Sequence, residues 1–480
     1  MSIKEQAKST VIWSSIERFS VQGIQFILMI LLGKLLAPDI FAPVAMLNIF
    51  MAVAQTFIDS GFANALIQRK ERQEKDYSTV FYFNIAISLP IYFLLYFCAP
   101  LIANFYEMPL LVDLTRVLGL ILIINSLGIV QQAKLTIELD FRRQAYATLL
   151  AVVVSGILGV WMAYTGWGVW ALVWQALTNN LLRVIFLWIF AHWAPRLEFS
   201  MQSFRELFNF GSKLLASTML HTLYQNVPTL IIGKFYSATE LGCYNQAFRI
   251  AQLPSVNITN VIVRAVYPIQ CRLQDDMEQL RDLFLKYMRM ACYIIFPIMI
   301  ALAAVAYPLV EVLLSEKWLP AVPMLQLLAI AYMWDPVMRI NHNMLNVKGR
   351  TDYFLYAELI KKTVAFSLLI ASVPFGVKMI CAGLIVYSFA DIAIIVYYSR
   401  KLTGITLYQQ FRSLVPIMLL SFSMGGIMYA ITLIPNISSV IHLLISLLLG
   451  TAWFFIGSWI FRFKEFAMLL SLVKRNKTIK

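Results

Sequence analysis

The fold is decided by two stretches: AISLPIYFLLYFCAPLIANF at residues 86–105 and HLLISLLLGTAWFFIGSWIF at residues 442–461. Neither carries Asp, Glu, Lys or Arg. As helix, twenty residues reach about 30 Å, the hydrocarbon thickness of a bilayer. A barrel strand would need only about 10 residues and would alternate apolar with polar positions. In lipid a chain must satisfy its own backbone hydrogen bonds, so these runs predict transmembrane helices. The rest of the chain agrees. Of 480 residues, 60% are hydrophobic and 13% charged, against about 45–50% and about 25% in soluble domains. One water-soluble core does not grow to that size.

The pattern predicts an all-α membrane protein of about fourteen spans, at 10–36, 41–63, 77–104, 111–131, 144–164, 168–191, 207–235, 239–267, 284–307, 319–345, 353–373, 376–399, 411–433 and 438–461. The net charge of +14 suits a cytoplasmic loop bias rather than nucleic-acid binding. With the N-terminus inside, Arg69, Lys70, Arg72, Lys134, Arg142, Arg143, Arg196, Arg281, Lys348, Arg350, Arg400 and Lys401 fall in inner loops. Outer loops hold little beyond Lys34, Lys234, Lys317 and Lys378. Both termini are therefore expected in the cytoplasm, in a bacterial inner membrane. Lys4 and Lys8 precede the first span without a prompt small-residue cleavage site, which reads as a retained helix. Cys98, Cys243, Cys271, Cys292 and Cys381 are scattered and read as small apolar packers. His192, His221, His342 and His442 lack HExxH spacing, so no metal is expected. There is no P-loop, and no outer loop is long enough for a catalytic domain. The chain is expected to transport rather than catalyse.

An internal repeat shows at offsets of about 200. Gln25, Gly33 and Lys34 recur as Gln225, Gly233 and Lys234; Arg142 and Gly168–Val169 recur as Arg350 and Gly376–Val377. Two six-helix copies are a common transporter plan. The expected organisation is an N-lobe at 1–194, a linker at 195–206, a C-lobe at 207–402, two further spans at 403–463 and a basic tail at 464–480.

Ionisable groups at membrane depth are costly unless they face protein or water, so they point to the path. Asn48, Gln55 and Asp59 share one face of span 2; Gln175, Asn179 and Arg183 share one on span 6. Asn245, Arg249, Gln252, Asn260 and Arg264 line span 8, and Asp335, Arg339, His342 and Asn346 line span 10. Span 1 adds Arg18 beside Glu17 and the polar Gln25; span 7 adds Gln225. One reading is a net-cationic cavity in which Arg18, Arg183, Arg249, Arg264 and Arg339 hold a phosphate, since arginine donates two parallel hydrogen bonds and keeps its charge. Gln25, Gln55, Asn179, Gln225, Asn245 and Asn260 would be its polar lining. The other reading makes each arginine a local pair, Glu17 with Arg18 or Asp335 with Arg339, or a snorkelling side chain. Arg249 and Arg264 rank first, with no nearby acid on their own helix. Asp59 and Asp391 are candidates for coupling to H+ or Na+. Glu358, Lys361 and Lys362 read as an interfacial pair. Pro90, Pro228, Pro254, Pro297, Pro336 and Pro416 permit bends within spans.

Several motifs together resemble a family. They are Gly33–Pro38 with Asp39 to Ala42, Ile58–Phe62, Ala65–Ile67, Leu139–Arg142, Gly166–Leu172 and Leu241–Ala247. The chain resembles the Wzx-type polysaccharide flippases of the multidrug/oligosaccharidyl-lipid/polysaccharide exporter superfamily, on the lipopolysaccharide and colanic-acid exporter branch. The resemblance implies two six-helix lobes in a V, with spans 13 and 14 appended. It also implies movement of undecaprenyl-diphosphate-linked oligosaccharide from the cytoplasmic to the periplasmic leaflet by alternating access. Membrane lipid, a polysaccharide polymerase and glycosyltransferases are the partners it suggests. The repeat partners of Arg18, Arg249 and Arg264 are Thr218, Ile49 and Asn64, which argues against a symmetric site. The rival reading is an ion-coupled exporter of drugs or other small molecules; that function wants an acidic cavity, and arginines outnumber carboxylates here.

Overall fold

The computed structural model describes residues 3–59, 62–69 and 72–469, without the side chains at 3–12, 14–16, 64, 68, 209–214, 216, 217, 220, 221 and 351. The side chains of Lys4, Lys8, Lys70, Asn64, His221 and the tail beyond 469 therefore lie outside the described set. Every regular element among the described residues is helical.

The chain forms two compact units, Met1–Gly242 and Cys243–Lys480. The first holds α1 (Ile3–Leu35), α2 (Pro38–Asp59), α3 (Phe62–Gln68), α4 (Glu74–Tyr106), α5 (Leu111–Ser126), α6 (Ile129–Ile137), α7 (Phe141–Tyr164), α8 (Val169–Ala191) and α9 (Met201–Phe235). Helix α10 (Ala238–Arg272) begins there and belongs mostly to the second. The second continues with α11 (Met277–Ala304), α12 (Ala306–Leu313), α13 (Val322–Tyr332), α14 (Asp335–Val347), α15 (Thr351–Ser372), α16 (Val377–Thr403), α17 (Leu407–Thr432) and α18 (Ser439–Ile460).

Side chains start the helices where the sequence offers short polar residues. Asp140 accepts from the Arg143 amide at 3.1 Å, Asp276 from Gln279 at 3.0 Å and Ser200 from Ser203 at 3.2 Å. Each satisfies an amide that the first turn leaves without an intrahelical partner.

Among the described residues, eleven helical stretches are long and apolar enough to cross a membrane. They correspond to eleven of the fourteen expected spans. The other three, α9, α10 and α15, have 35, 35 and 22 residues, ample length but too many polar side chains. A helix of that kind is stable in lipid only where its polar face meets protein or water.

Two of the breaks inside expected spans are met by side chains of neighbouring helices. Span 4 divides into α5 and α6 at Leu127–Gly128, and span 10 into α13 and α14 at Met333–Trp334. At each break neighbouring helices supply donors to the freed carbonyls. The Trp188 indole donates to Leu127 O at 2.9 Å. Ser255 donates to Tyr332 O at 2.7 Å and Ser388 to Ala331 O at 3.2 Å. Without those donors each open carbonyl would face a desolvated interior.

The stretch 195–206, expected as a linker, is tied down. The Arg196 amide donates to Ser78 and the Ser200 amide to Thr79, both at 3.0 Å. Residues 201–206 are already the first turns of α9. Phe204 and Leu207 close an aromatic cluster with Phe62, Phe81 and Trp193, and α9 packs on α2, α3 and α4. The helix read from sequence as the first span of a second lobe thus belongs to the first unit by packing. In the second unit, Trp334 sits among Phe296, Phe389 and Phe411, with centroids 5.1–5.4 Å away.

Candidate functional site

The first unit gathers a charged constellation from six helices. Asp59 accepts from the Gln55 amide at 2.8 Å, and Gln55 accepts in turn from Asn125 at 3.1 Å. Glu17 on α1 accepts from the Thr148 hydroxyl at 3.0 Å. Arg183 on α8 donates to Gln132 and feels the attraction of both Glu17 and Asp59. Asn179, one turn earlier, accepts from Ser155 at 3.5 Å. Arg183 lies within electrostatic range of both carboxylates and makes no ion-pair contact with either among the described residues. Glu17 turns to Thr148 and Arg183, which the i,i+1 pairing with Arg18 does not capture. Arg18 and Gln25 on α1 and Gln225 on α9 are exposed.

The second unit holds two further clusters. Arg339 grips Asp335 with both contacts at 2.8 Å and donates to Asn260 at 3.3 Å. Asp335 is buried. Arg339 and Asn260, expected in the substrate path, are thereby tied into a structural pair of the kind that i,i+4 spacing favours. The second cluster lies where α14, α15 and α16 meet. Lys361 contacts Glu358 at 2.7 Å and Asp391 at 3.2 Å; Lys362 and His342 approach Glu358 at 3.8 and 3.5 Å. The Tyr387 hydroxyl stands 3.4 Å from Asp391. Lys361 and Asp391 are both buried. The interfacial reading of Lys361 is therefore corrected: its ammonium is turned inward onto a carboxylate of α16. Lys361–Glu358 is visible in the sequence at i,i+3, whereas its link to Asp391 depends on how α15 packs on α16.

Arg249 and Arg264 differ from all of these. Both are exposed on α10, and neither makes an ion pair among the described residues. Asn245, one turn before Arg249 on α10, is half-buried. The two arginines stand fifteen positions apart, about 22 Å along a straight helix. One diphosphate does not reach both at once.

Helices apolar outward, with charged clusters between them, define a multi-pass membrane protein. The chain belongs to the family described as Polysaccharide biosynthesis protein, which matches residues 31–323. It is 29% identical to the teichuronic acid biosynthesis protein TuaB of Bacillus subtilis, over 74% of each chain. It is 27% identical to the lipopolysaccharide biosynthesis protein WzxC of Escherichia coli, over 73% of this chain and 72% of that one. Its fold matches the lipid II flippase MurJ in an inward closed conformation with a TM-score of 0.75, covering 94% of this chain and 98% of that one at 16% identity.

Proposed function

We propose that this protein moves an undecaprenyl-diphosphate-linked oligosaccharide across the bacterial inner membrane for surface polysaccharide synthesis. Arg249 carries the reading: an exposed cation with no ion pair among the described residues, on a helix too polar to face lipid on all sides. The family and the names of the relatives support the substrate class. An exporter of cationic drugs would gain nothing from such a residue.

With the termini in the cytoplasm, α10 runs inward, so Arg264 stands nearer the cytoplasmic surface and Arg249 deeper. The diphosphate would meet them in succession, held by arginine forks while the sugar remains in water. Asn245, one turn before Arg249, would serve as an accessory polar contact. No bond is made or broken in such a step; the work is desolvation and release. Glycosyltransferases would supply the substrate and a polymerase would receive it.

The Lys361–Glu358–Asp391–His342 cluster is the proposed coupling element for H+. It offers two carboxylates, two ammonium groups and an imidazole, with Lys361 and Asp391 buried and Glu358, Lys362 and His342 half-buried, so gain or loss of one proton changes its balance of charge. Asp59, facing Gln55 and Arg183, is the counterpart in the first unit.

Deleting the gene in its native strain should abolish the surface polysaccharide and leave its lipid-linked precursor accumulating in the inner leaflet. A deletion strain with normal surface polysaccharide and no stranded precursor rules the proposal out.

A further inference from the structure

A cavity of about 1410 Å³ opens among α11, α17 and α18, away from every cluster described above. Its floor and walls are apolar: Pro416, Leu419 and Leu420 from α17, and Trp453, Ile456 and Ile460 from α18. Gly457 lets the two helices close behind it, since a Cβ there would stand 2.5 Å from Leu420 Cδ1. The Trp453 indole donates to Ser423 at 3.0 Å and pins the same seam. These walls run seven residues along each helix, about 10 Å.

The rim is basic. Lys286 and Arg289 come from the early turns of α11; Arg462 and Lys464 follow the end of α18. All four lie at the end of the helices where the basic inner loops are. One carboxylate accompanies them. Glu465 is more than nine-tenths buried and takes Arg289 Nε on Oε1 at 2.6 Å. Its Oε2 is buried without a hydrogen-bond donor among the described residues.

We infer that this cavity is a binding site for an anionic glycerophospholipid of the inner leaflet, phosphatidylglycerol by its chemistry. Acyl chain lies along the apolar walls, where water would be expelled. The phosphate meets Lys286, Arg462 and Lys464, four cations against one carboxylate making the rim net positive. Glu465 is already engaged by Arg289, which leaves the other three cations of the rim to the phosphate. A phosphatidylethanolamine headgroup carries no net charge and gains less from this rim.

The test is native mass spectrometry of the full-length protein from nanodiscs containing phosphatidylglycerol and phosphatidylethanolamine. The wild type should retain one phosphatidylglycerol in clear preference. The triple variant Lys286→Gln/Arg462→Gln/Lys464→Gln, altered only at exposed positions, should lose at least tenfold of that retention, each cation counting for about fivefold. Its thermal midpoint in phosphatidylethanolamine alone should match wild type, separating lost binding from lost folding. Equal retention of the two lipids, or full retention by the triple variant, overturns the inference. So does displacement of the bound phospholipid by undecaprenyl phosphate, which would assign the groove to the substrate's tail. Retention that appears only after removal of residues 470–480 would mark that segment as the resident instead.

Discussion

Arginines that look alike in the sequence have different surroundings in the structure. Arg339 is held by Asp335 and Arg183 stands before Glu17 and Asp59, while Arg249 and Arg264 face no acid among the described residues. A committed arginine contributes to folding, and an uncommitted one is available to a ligand. Asp335→Ala should therefore cost stability, because the part-buried Arg339 guanidinium loses its counterion; with Arg339 partly exposed, about 2 kcal/mol is expected. Asp335→Leu/Arg339→Leu should recover much of that, read as thermal midpoints in one detergent. A double variant no more stable than the single would show that the pair has a role beyond charge balance. The Asp335–Arg339 pair was legible at i,i+4. Arg183 with Glu17, and Lys361 with Asp391, were not, because those partners meet across helices whose packing no local spacing specifies.

At the scale of the element, apolar length made the spans readable and polar content marked the three that deviate. Helices α9, α10 and α15 carry most of the unexplained polarity, and two of the clusters sit on α10 and α15. Less legible were the breaks. Pro336 announces the second, but only Gly128 marks the first. The two breaks lie about 206 positions apart, close to the repeat offset, and discontinuous helices at matching positions are how such proteins expose backbone to a site. Close seams between helices were also hidden. Gly425 on α17 leaves room for Ile300, whose Cγ2 would stand 2.4 Å from a Cβ. Ile300 is β-branched and buried, so it cannot swing clear. Gly425→Val should cost about 2–3 kcal/mol by overpacking. A thermal midpoint within a degree of wild type would mean that α11 and α17 slide apart freely.

For the molecule as a whole, the sequence conveyed that the chain is a bundle of spans with charge inside. It did not convey that α9 packs with the first unit, since Phe204 and Leu207 reveal their partners Phe62, Phe81 and Trp193 only in three dimensions. The coupling proposal belongs to this scale, because a proton gradient acts on the entire transport cycle. Asp391→Asn removes one carboxylate from the five-group cluster and leaves Lys361 with Glu358. Export should fall by tenfold or more and lose its response to an imposed pH gradient, measured as oligosaccharide release in everted vesicles. Undiminished gradient dependence in the variant would move coupling elsewhere, with Asp59→Asn the next to examine.

The most direct measurement follows lipid-linked oligosaccharide through purified protein in proteoliposomes, comparing wild type with Arg249→Gln and Arg249→Lys. Arg249→Gln should slow translocation by about tenfold to a hundredfold, the scale of one lost charge-assisted contact. Arg249→Lys, which restores the charge without the fork, should recover part of the rate, with thermal midpoints unchanged in both variants. Wild-type translocation by Arg249→Gln at equal abundance would contradict the proposed role of Arg249.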